Sequence, residues 1–267
     1  MAARCRAAVR KWSALLACLA AFPWAPAQAI VIRHDRDDRQ YIELAKKFPA
    51  TVIFHSKDSG NGMDGMGTLI DARWVLTAGH IVAELKPGDI AEVGGSRYEI
   101  ENLVQHPLWH GIKTWDDVQH DIALVRLRTA VRGIEPAHLY TKSDEAGLIL
   151  TIVGAGRFGN GLTGPTVDDV TMRAATNRVL RVEGTQLVYR FDAPEDPDVT
   201  PLQGICGDGD SGNPAYLESN GIIYVVGVGS AQDARPVGRK LGHYGVLELY
   251  PRVSAFVPWI RRVLNSR

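Results

Sequence analysis

The sequence of 267 residues is short of cysteine and has no surplus of charge of either sign. Three cysteines, two of them at Cys5 and Cys18 near the N-terminus, cannot build a framework of several disulfides. The 30 Lys and Arg side chains balance 30 Asp and Glu, so the basic field that phosphate backbones require is missing and nucleic acid is not an expected partner. The apolar run from Trp12 to Phe22 is about half of the roughly 20 residues that cross a bilayer. Internal repeats and low-complexity stretches are absent too. The eight histidines form no H-E-x-x-H pattern, and His106 and His110 flank a proline-containing segment that cannot set both on one helical face. No metal is expected, and His34, His55, His106, His110, His138 and His243 read as surface imidazoles.

What the N-terminus does contain is a three-part pattern. Arg4, Arg6, Arg10 and Lys11 stand with no acidic residue before position 30, the apolar run follows, and Pro23, Pro26 and Ala27-Gln28-Ala29 close it. That is the layout of a secretory signal peptide over residues 1–29, cleaved after Ala29. The remaining 238 residues carry 26 positive and 30 negative charges. They are expected to be secreted or periplasmic, with no stable membrane association after cleavage. Cys206 would then be the lone cysteine, a small buried filler, and stability would come from packing alone.

Past the charged stretch Arg33 to Arg39, Tyr41, Leu44, Ala45 and Phe48 recur at helical spacing until Pro49 ends the pattern. From Thr51 the pattern changes to short β-rich runs: Thr51–Phe54, Thr68–Ile70, Trp74–Thr77, Ile90–Val93, Tyr98–Ile100, Ile122–Leu127, Leu148–Val153, Leu187–Phe191 and Ile222–Val228. Turn residues cluster between them, as in an antiparallel barrel or sandwich. A closing amphipathic helix is expected over Ser254 to Leu264, with Ser254 as its N-cap. Asp192 to Pro201, rich in Pro and acid, reads as an exposed loop whose composition leaves a calcium site open. Gly154-Ala155-Gly156-Arg157-Phe158-Gly159 matches G-x-G-x-x-G, but Asn160-Gly161, Gly164 and Pro165 deny it the helix that a dinucleotide site needs. It reads as a strand end and a mobile loop, and no cofactor is expected.

Three segments carry chemistry. Val75-Leu76-Thr77-Ala78-Gly79-His80 sets a histidine directly after an apolar strand, and His120-Asp121-Ile122-Ala123-Leu124-Val125 sets an aspartate at the head of another. Gly207-Asp208-Gly209-Asp210-Ser211-Gly212-Asn213-Pro214 places a serine in a glycine-rich turn. Each alone reads blandly, as a satisfied histidine, a strand-capping aspartate and a polar turn. Together they supply a general base, a group that orients it and a hydroxyl that needs activation. A serine hydroxyl is barely nucleophilic near neutrality, so an imidazole must take its proton as the bond to carbon forms. Glycine beside the serine permits a tight turn in which the amides of Gly209 and Ser211 converge on one oxyanion.

On these residues the chain resembles the chymotrypsin/trypsin family of serine endopeptidases, in its disulfide-poor, bacterial type. The three segments are similar to that family's L-T-A-A-H, D-I-A-L and G-D-S-G-G-P signatures. Gly67-Thr68-Leu69-Ile70, Val104-Gln105-His106-Pro107, Val225-Val226-Gly227-Val228-Gly229-Ser230 and Tyr250-Pro251-Arg252-Val253-Ser254 extend the likeness over most of residues 49 to 263. The resemblance implies an all-β chain of two antiparallel Greek-key β-barrels, about 49–135 and 140–253, with the active site between them and a C-terminal helix at about 254–264. It implies His80 as base, Asp121 as orienting acid, Ser211 as nucleophile, Gly209 and Ser211 as oxyanion hole, and Ser230 against the substrate backbone. The substrate would be a protein or peptide.

Ile205, six residues before Ser211, falls at the pocket floor of the family and implies a taste for apolar or small residues before the scissile bond. Cleavage after Ala29 would expose Ile30-Val31, and the resemblance implies an activating ion pair between the Ile30 ammonium and Asp210. Departures are Ile81 where a cysteine is common, Asn213 for a glycine, Cys206 shifted by one residue, Ile32 for the usual Gly, and Ala231-Gln232 for the usual Trp-Gly. Two other readings compete: a catalytically silent serine-protease homologue serving as a binding module, and a serine esterase. The missing G-x-S-x-G elbow and the residue order speak against the esterase.

Overall fold

The computed structural model describes residues 30–57, 62–112 and 115–266; the expected signal segment lies outside the described residues. Strands Thr51–His55, Gly65–Asp71, Trp74–Thr77, Ile90–Val93, Ser96–Gln105 and Ala123–Leu127 form a closed antiparallel barrel. In space the first three run in chain order and the last three in reverse, which is a Greek-key path. Alternation sets the faces of each strand: Val52 and Phe54 enter the main core with Leu69, Val75 and Leu124, while Ile53 packs outward with Met63, Met66 and Ala155.

The second half is an eight-stranded sheet in the order Ala231–Asp233, Leu247–Pro251, Gln186–Arg190, Arg173–Glu183, Ile149–Gly154, Pro214–Ser219, Ile222–Val228 and His138–Leu139. It rolls on itself: Gly227 bridges to Arg252, and the Ser230 amide donates to the Leu249 carbonyl at 3.1 Å. The two halves share one apolar core. Tyr216, from the second half, stacks on Phe48 and reaches the first barrel, where its hydroxyl meets Thr68 Oγ1 at 2.5 Å. Its neighbour Val225 lies in the same cluster as Val52 and Leu76.

The helix Asp38–Ala45 starts at Asp37, whose carboxylate accepts the Arg39 amide at 3.0 Å. The last helix is Val253–Asn265, with Phe256, Val257 and Ile260 buried. Its cap residue is Arg252 rather than Ser254; the Ser254 hydroxyl instead donates to the buried carboxylate of Glu145, which also holds Arg252. Two strand regions were not expected. Arg173–Glu183 is a strand although it alternates polar residues, because the buried Arg173 and Asn177 have their own partners. The G-x-G-x-x-G stretch begins at a strand end, Gly154, as expected, but the mobile loop expected after it is a hairpin in a separate four-stranded sheet, Arg157–Asn160 pairing with Gly164–Asp168. Gly159 faces the Gly164 carbonyl so closely that a Cβ would lie 1.9 Å from its oxygen.

The residues after position 29 join this hairpin. Val31–Ile32 is a short strand inserted between Arg157–Asn160, to which it is parallel, and Gly204–Ile205, to which it is antiparallel. Ile30, Val31 and Ile32 are all buried, the first two completely.

Candidate active site

Strand Trp74–Thr77 hands the chain to a single helical turn, Gly79–Val82, that carries His80. Gly79 must be small, since a Cβ there would stand 2.9 Å from the Trp109 indole. Its carbonyl accepts from Gln105 Nε2 at 3.0 Å, which fixes the turn. Asp121 follows the 3-10 helix Trp115–His120 and is fully buried. Its two oxygens face three donors. Oδ1 accepts the His80 backbone amide at 2.8 Å; Oδ2 accepts His80 Nδ1 at 2.6 Å and the Ser230 hydroxyl at 2.6 Å. A carboxylate in this position places the ring proton on Nδ1 and leaves Nε2 of the neutral imidazole as a base. The His80 side chain keeps 26% of its surface exposed, so that nitrogen has access to the cleft.

Ser211 comes from the second half, in the turn before strand Pro214–Ser219. Its carbonyl accepts from the Met66 amide of the first barrel at 2.8 Å. Gly212 has φ +81°, and a Cβ there would lie 2.3 Å from both Met66 O and Thr77 Oγ1, so only glycine fits. Gly209 has φ +96°, which turns the backbone sharply ahead of the serine. Asp210 is buried between them. Its Oδ1 accepts the amides of Ala155 and Gly156 at 2.9 and 3.0 Å, and its Oδ2 the amide of Gly207 at 3.0 Å. Burial pushes its carboxyl group well above the usual range despite those amides. The amides of the glycine-rich stretch thus clasp a carboxylate of the protein itself. Ile30 packs with Ile32, Tyr41 and Cys206, and its nitrogen is a peptide amide in the uncut chain.

A cavity of about 340 Å³ opens beside Ser211 and Ser230. Gly209, Asp208, Gln232 and Glu248 are among the residues lining it, and no Lys, Arg or His is. Ile205 is not among them: it is completely buried in a separate cluster with Val31, Phe191, Ala234 and Val246. Glu248 and Gln232 are the functional candidates that the sequence reading missed. The signal was one carboxylate between apolar neighbours in Leu247-Glu248-Leu249. Burial holds the Glu248 carboxyl up to about 7, while Gln232 and Cys206 lower it. Burial also raises the Asp208 carboxyl, and Arg157 opposes this. Another cavity is bordered by His80 together with Trp109, Gln105 and Ile112.

Other expectations can be placed. The Cys206 thiol is buried, and burial pushes it up, away from reactive thiolate. His106 is half-buried and stacked on His120 rather than lying free on the surface. In the acidic loop, Asp192 pairs with Arg190 and accepts Gln203 Nε2, and Asp196 accepts the Ala193 amide. Among the described residues no three His, Cys, Asp or Glu side chains are grouped to hold a metal, and no helix is long and apolar enough to cross a membrane.

Two β-barrels with a histidine–carboxylate pair beside a cavity lined by serine are the architecture of a serine-type endopeptidase, a hydrolase. Residues 44–260 match the family model described as Trypsin, and the chain belongs to that family. It is 28% identical over 222 residues to Serine protease SP24D of Anopheles gambiae, covering 77% of this chain and 74% of that protein. It is 29% identical over 270 residues to Melanization protease 1 of Drosophila melanogaster, covering 83% of this chain and 64% of that protein. A third relative, the Complement C1s subcomponent of Rattus norvegicus, is 27% identical over 256 residues, but the chain spans only 35% of its length.

Proposed function

We propose that the protein is an exported endopeptidase, secreted or periplasmic, that cuts peptide bonds through an acyl-enzyme on Ser211. The observation that supports this most is the Asp121 carboxylate, fully buried and satisfied by His80 and Ser230. His80 Nε2 takes the Ser211 proton as Oγ bonds to the substrate carbonyl carbon. The carbonyl electrons move to oxygen, and the amides of Gly209 and Ser211 receive that charge. Return of the proton from His80 to the leaving nitrogen breaks the C–N bond; water, deprotonated by the same imidazole, then releases the acyl group. Asp121 orients the ring and stabilises the imidazolium. Ser230, holding Asp121 through its hydroxyl, offers its backbone to the substrate. Cleavage after Ala29 would give Ile30 an ammonium, and Asp210, buried among neutral donors, is its partner.

The test is labelling with a fluorophosphonate. The secreted protein is expected to be modified at Ser211, with Ser211→Ala and His80→Ala folded and nearly inactive. Asp121→Asn should lose on the order of 10⁴-fold in kcat through the wrong tautomer. Folded, processed protein that takes up no label would instead be the silent binding module.

A further inference from the structure

We infer that Gln186, with Thr185 beside it, is a positioning residue for Asp121: from the second half of the molecule it holds the backbone turn that delivers this carboxylate to His80. The inference rests on the endopeptidase reading above and adds to it a residue that acts through another.

Asp121 stands between two unequal supports. After it, strand Ala123–Leu127 is locked into the barrel between Trp74–Thr77 and Ser96–Gln105. Before it is only the 3-10 helix Trp115–His120, and the bond from the Asp121 amide to the Val118 carbonyl is 3.3 Å long. Short 3-10 turns have poor hydrogen-bond geometry and end on carbonyls that lack partners within the helix. Two of those carbonyls are taken up by the second half. Gln186 Nε2 donates at 2.5 Å to the same Val118 carbonyl that the Asp121 amide reaches. Thr185 donates from its hydroxyl to the Gln119 carbonyl and from its amide to Gln119 Oε1 at 2.8 Å. Gly184 completes this close approach, since a Cβ there would lie 2.6 Å from Gln119 Oε1.

Gln186 is completely buried, and its Oε1 has no hydrogen-bond partner. An apolar side chain of the same shape would avoid the cost of that orphaned oxygen, so what glutamine adds at this place is the donor. The sheet that carries Gln186 also holds the other end of Asp121. Gln186 faces Pro251 in register, Val188 faces Leu249, and the Leu249 carbonyl accepts the amide of Ser230, whose hydroxyl reaches Asp121 Oδ2. The second half thus grips Asp121 twice, at its carboxylate through Ser230 and at its backbone through Gln186. Both Asp121 oxygens bind His80, so a shift of this turn moves the imidazole relative to Ser211, which belongs to the gripping half. Misplacement of a catalytic group by about 1 Å costs up to roughly 100-fold in rate.

The experiment has two arms. In the first, Gln186→Met, which keeps the length of the side chain and lacks the donor, is assayed per active site titrated with fluorophosphonate. Its kcat is expected to fall on the order of tenfold with KM within about twofold. Thr185→Val should show the same split more weakly, and Thr185→Ser, which keeps the hydroxyl, should recover most of the loss. In the second arm, proton NMR of the Ser211→Ala protein follows the strongly deshielded Nδ1 proton of His80, which needs no turnover. Adding Gln186→Met is expected to move that signal upfield and broaden it. Lower stability in urea with kcat per site unchanged, or a His80 signal indifferent to Gln186, overturns the inference. Where Gln186→Met does not fold, the two Thr185 variants decide by the same readings. Wild-type protein that takes up no fluorophosphonate while the His80 signal still responds to Gln186 would overturn the endopeptidase reading alone.

Discussion

Burial that holds Glu248 up to about 7, against an ordinary 4.5, ties this residue of the cavity wall to stability. Below about pH 4.5 the group is protonated in both folded and unfolded chains and costs nothing. Between about pH 4.5 and 7 the native state retains a proton that the unfolded chain has lost. Stability therefore falls across that window, by roughly 3 kcal/mol once the group is charged. Glu248→Gln cannot ionise, so its unfolding free energy relative to wild type should increase between pH 5 and pH 8, as measured in urea. The groups facing Glu248 are Cys206, Tyr189, Tyr250 and Asp210, and all are raised by burial. They are present in both proteins and largely drop out of the difference. No change with pH would mean that Glu248 is as well solvated in the fold as out of it. At this scale the His80–Asp121 contact and the glycine-rich turn of Ser211 were legible because each residue sits in a contiguous run whose chemistry reads locally. Glu248 and Gln232 were not, because their relation to Ser211 exists only after two distant strands pair.

Among elements, the helix Asp38–Ala45 is fastened by a side chain rather than by an apolar stripe alone. Arg173, 2% exposed, donates from Nε and Nη2 to Asp38 and from Nη1 and Nη2 to Asp169, with Phe158 under its guanidinium. Arg173→Ala should lower stability by about 2–3 kcal/mol, somewhat less than a fully buried pair because both carboxylates are a third exposed. Arg173→Lys should recover little, since an ammonium cannot fork to two carboxylates. Denaturant unfolding checks both, and kcat per titrated site should hardly move. A fully stable Arg173→Ala protein would show that the helix is held by Tyr41 and Ala45 alone. The same arginine explains why its strand escaped the reading. Strands with β-branched runs, such as Trp74–Thr77, Ile90–Val93 and Ile222–Val228, stand where periodicity placed them. Arg173–Glu183 and the hairpin from Arg157 are strands because partners elsewhere satisfy their polar groups, and a local window does not contain those partners.

At the scale of the whole molecule, the buried strand Val31–Ile32 would link the proposed cut after Ala29 to the serine turn. It pairs with Gly204–Ile205, four residues before Asp208, and with the hairpin whose preceding amides hold Asp210. A protein left with one extra residue before Ile30 should fold yet have almost no activity, as should Asp210→Asn. The loss of one partner of a buried ion pair, about 3–5 kcal/mol, is enough to disorder a loop of this kind. Circular dichroism and active-site titration report the two properties separately, and full activity with the extra residue would remove Ile30 from the mechanism.

The contact between the Met66 amide and the Ser211 carbonyl, with Gly212 pressed against Met66 and Thr77, has a different reach. It ties the Ser211 turn to the opposite barrel, so this wall of the cavity is held in place before any chain enters. The loss of conformational entropy on docking then falls on the incoming chain. Segments that are already extended or fluctuating lose least, and stretches locked in helices or sheets lose most. A folded target is therefore nicked first in its exposed loops, and its interior is digested only after it has come apart.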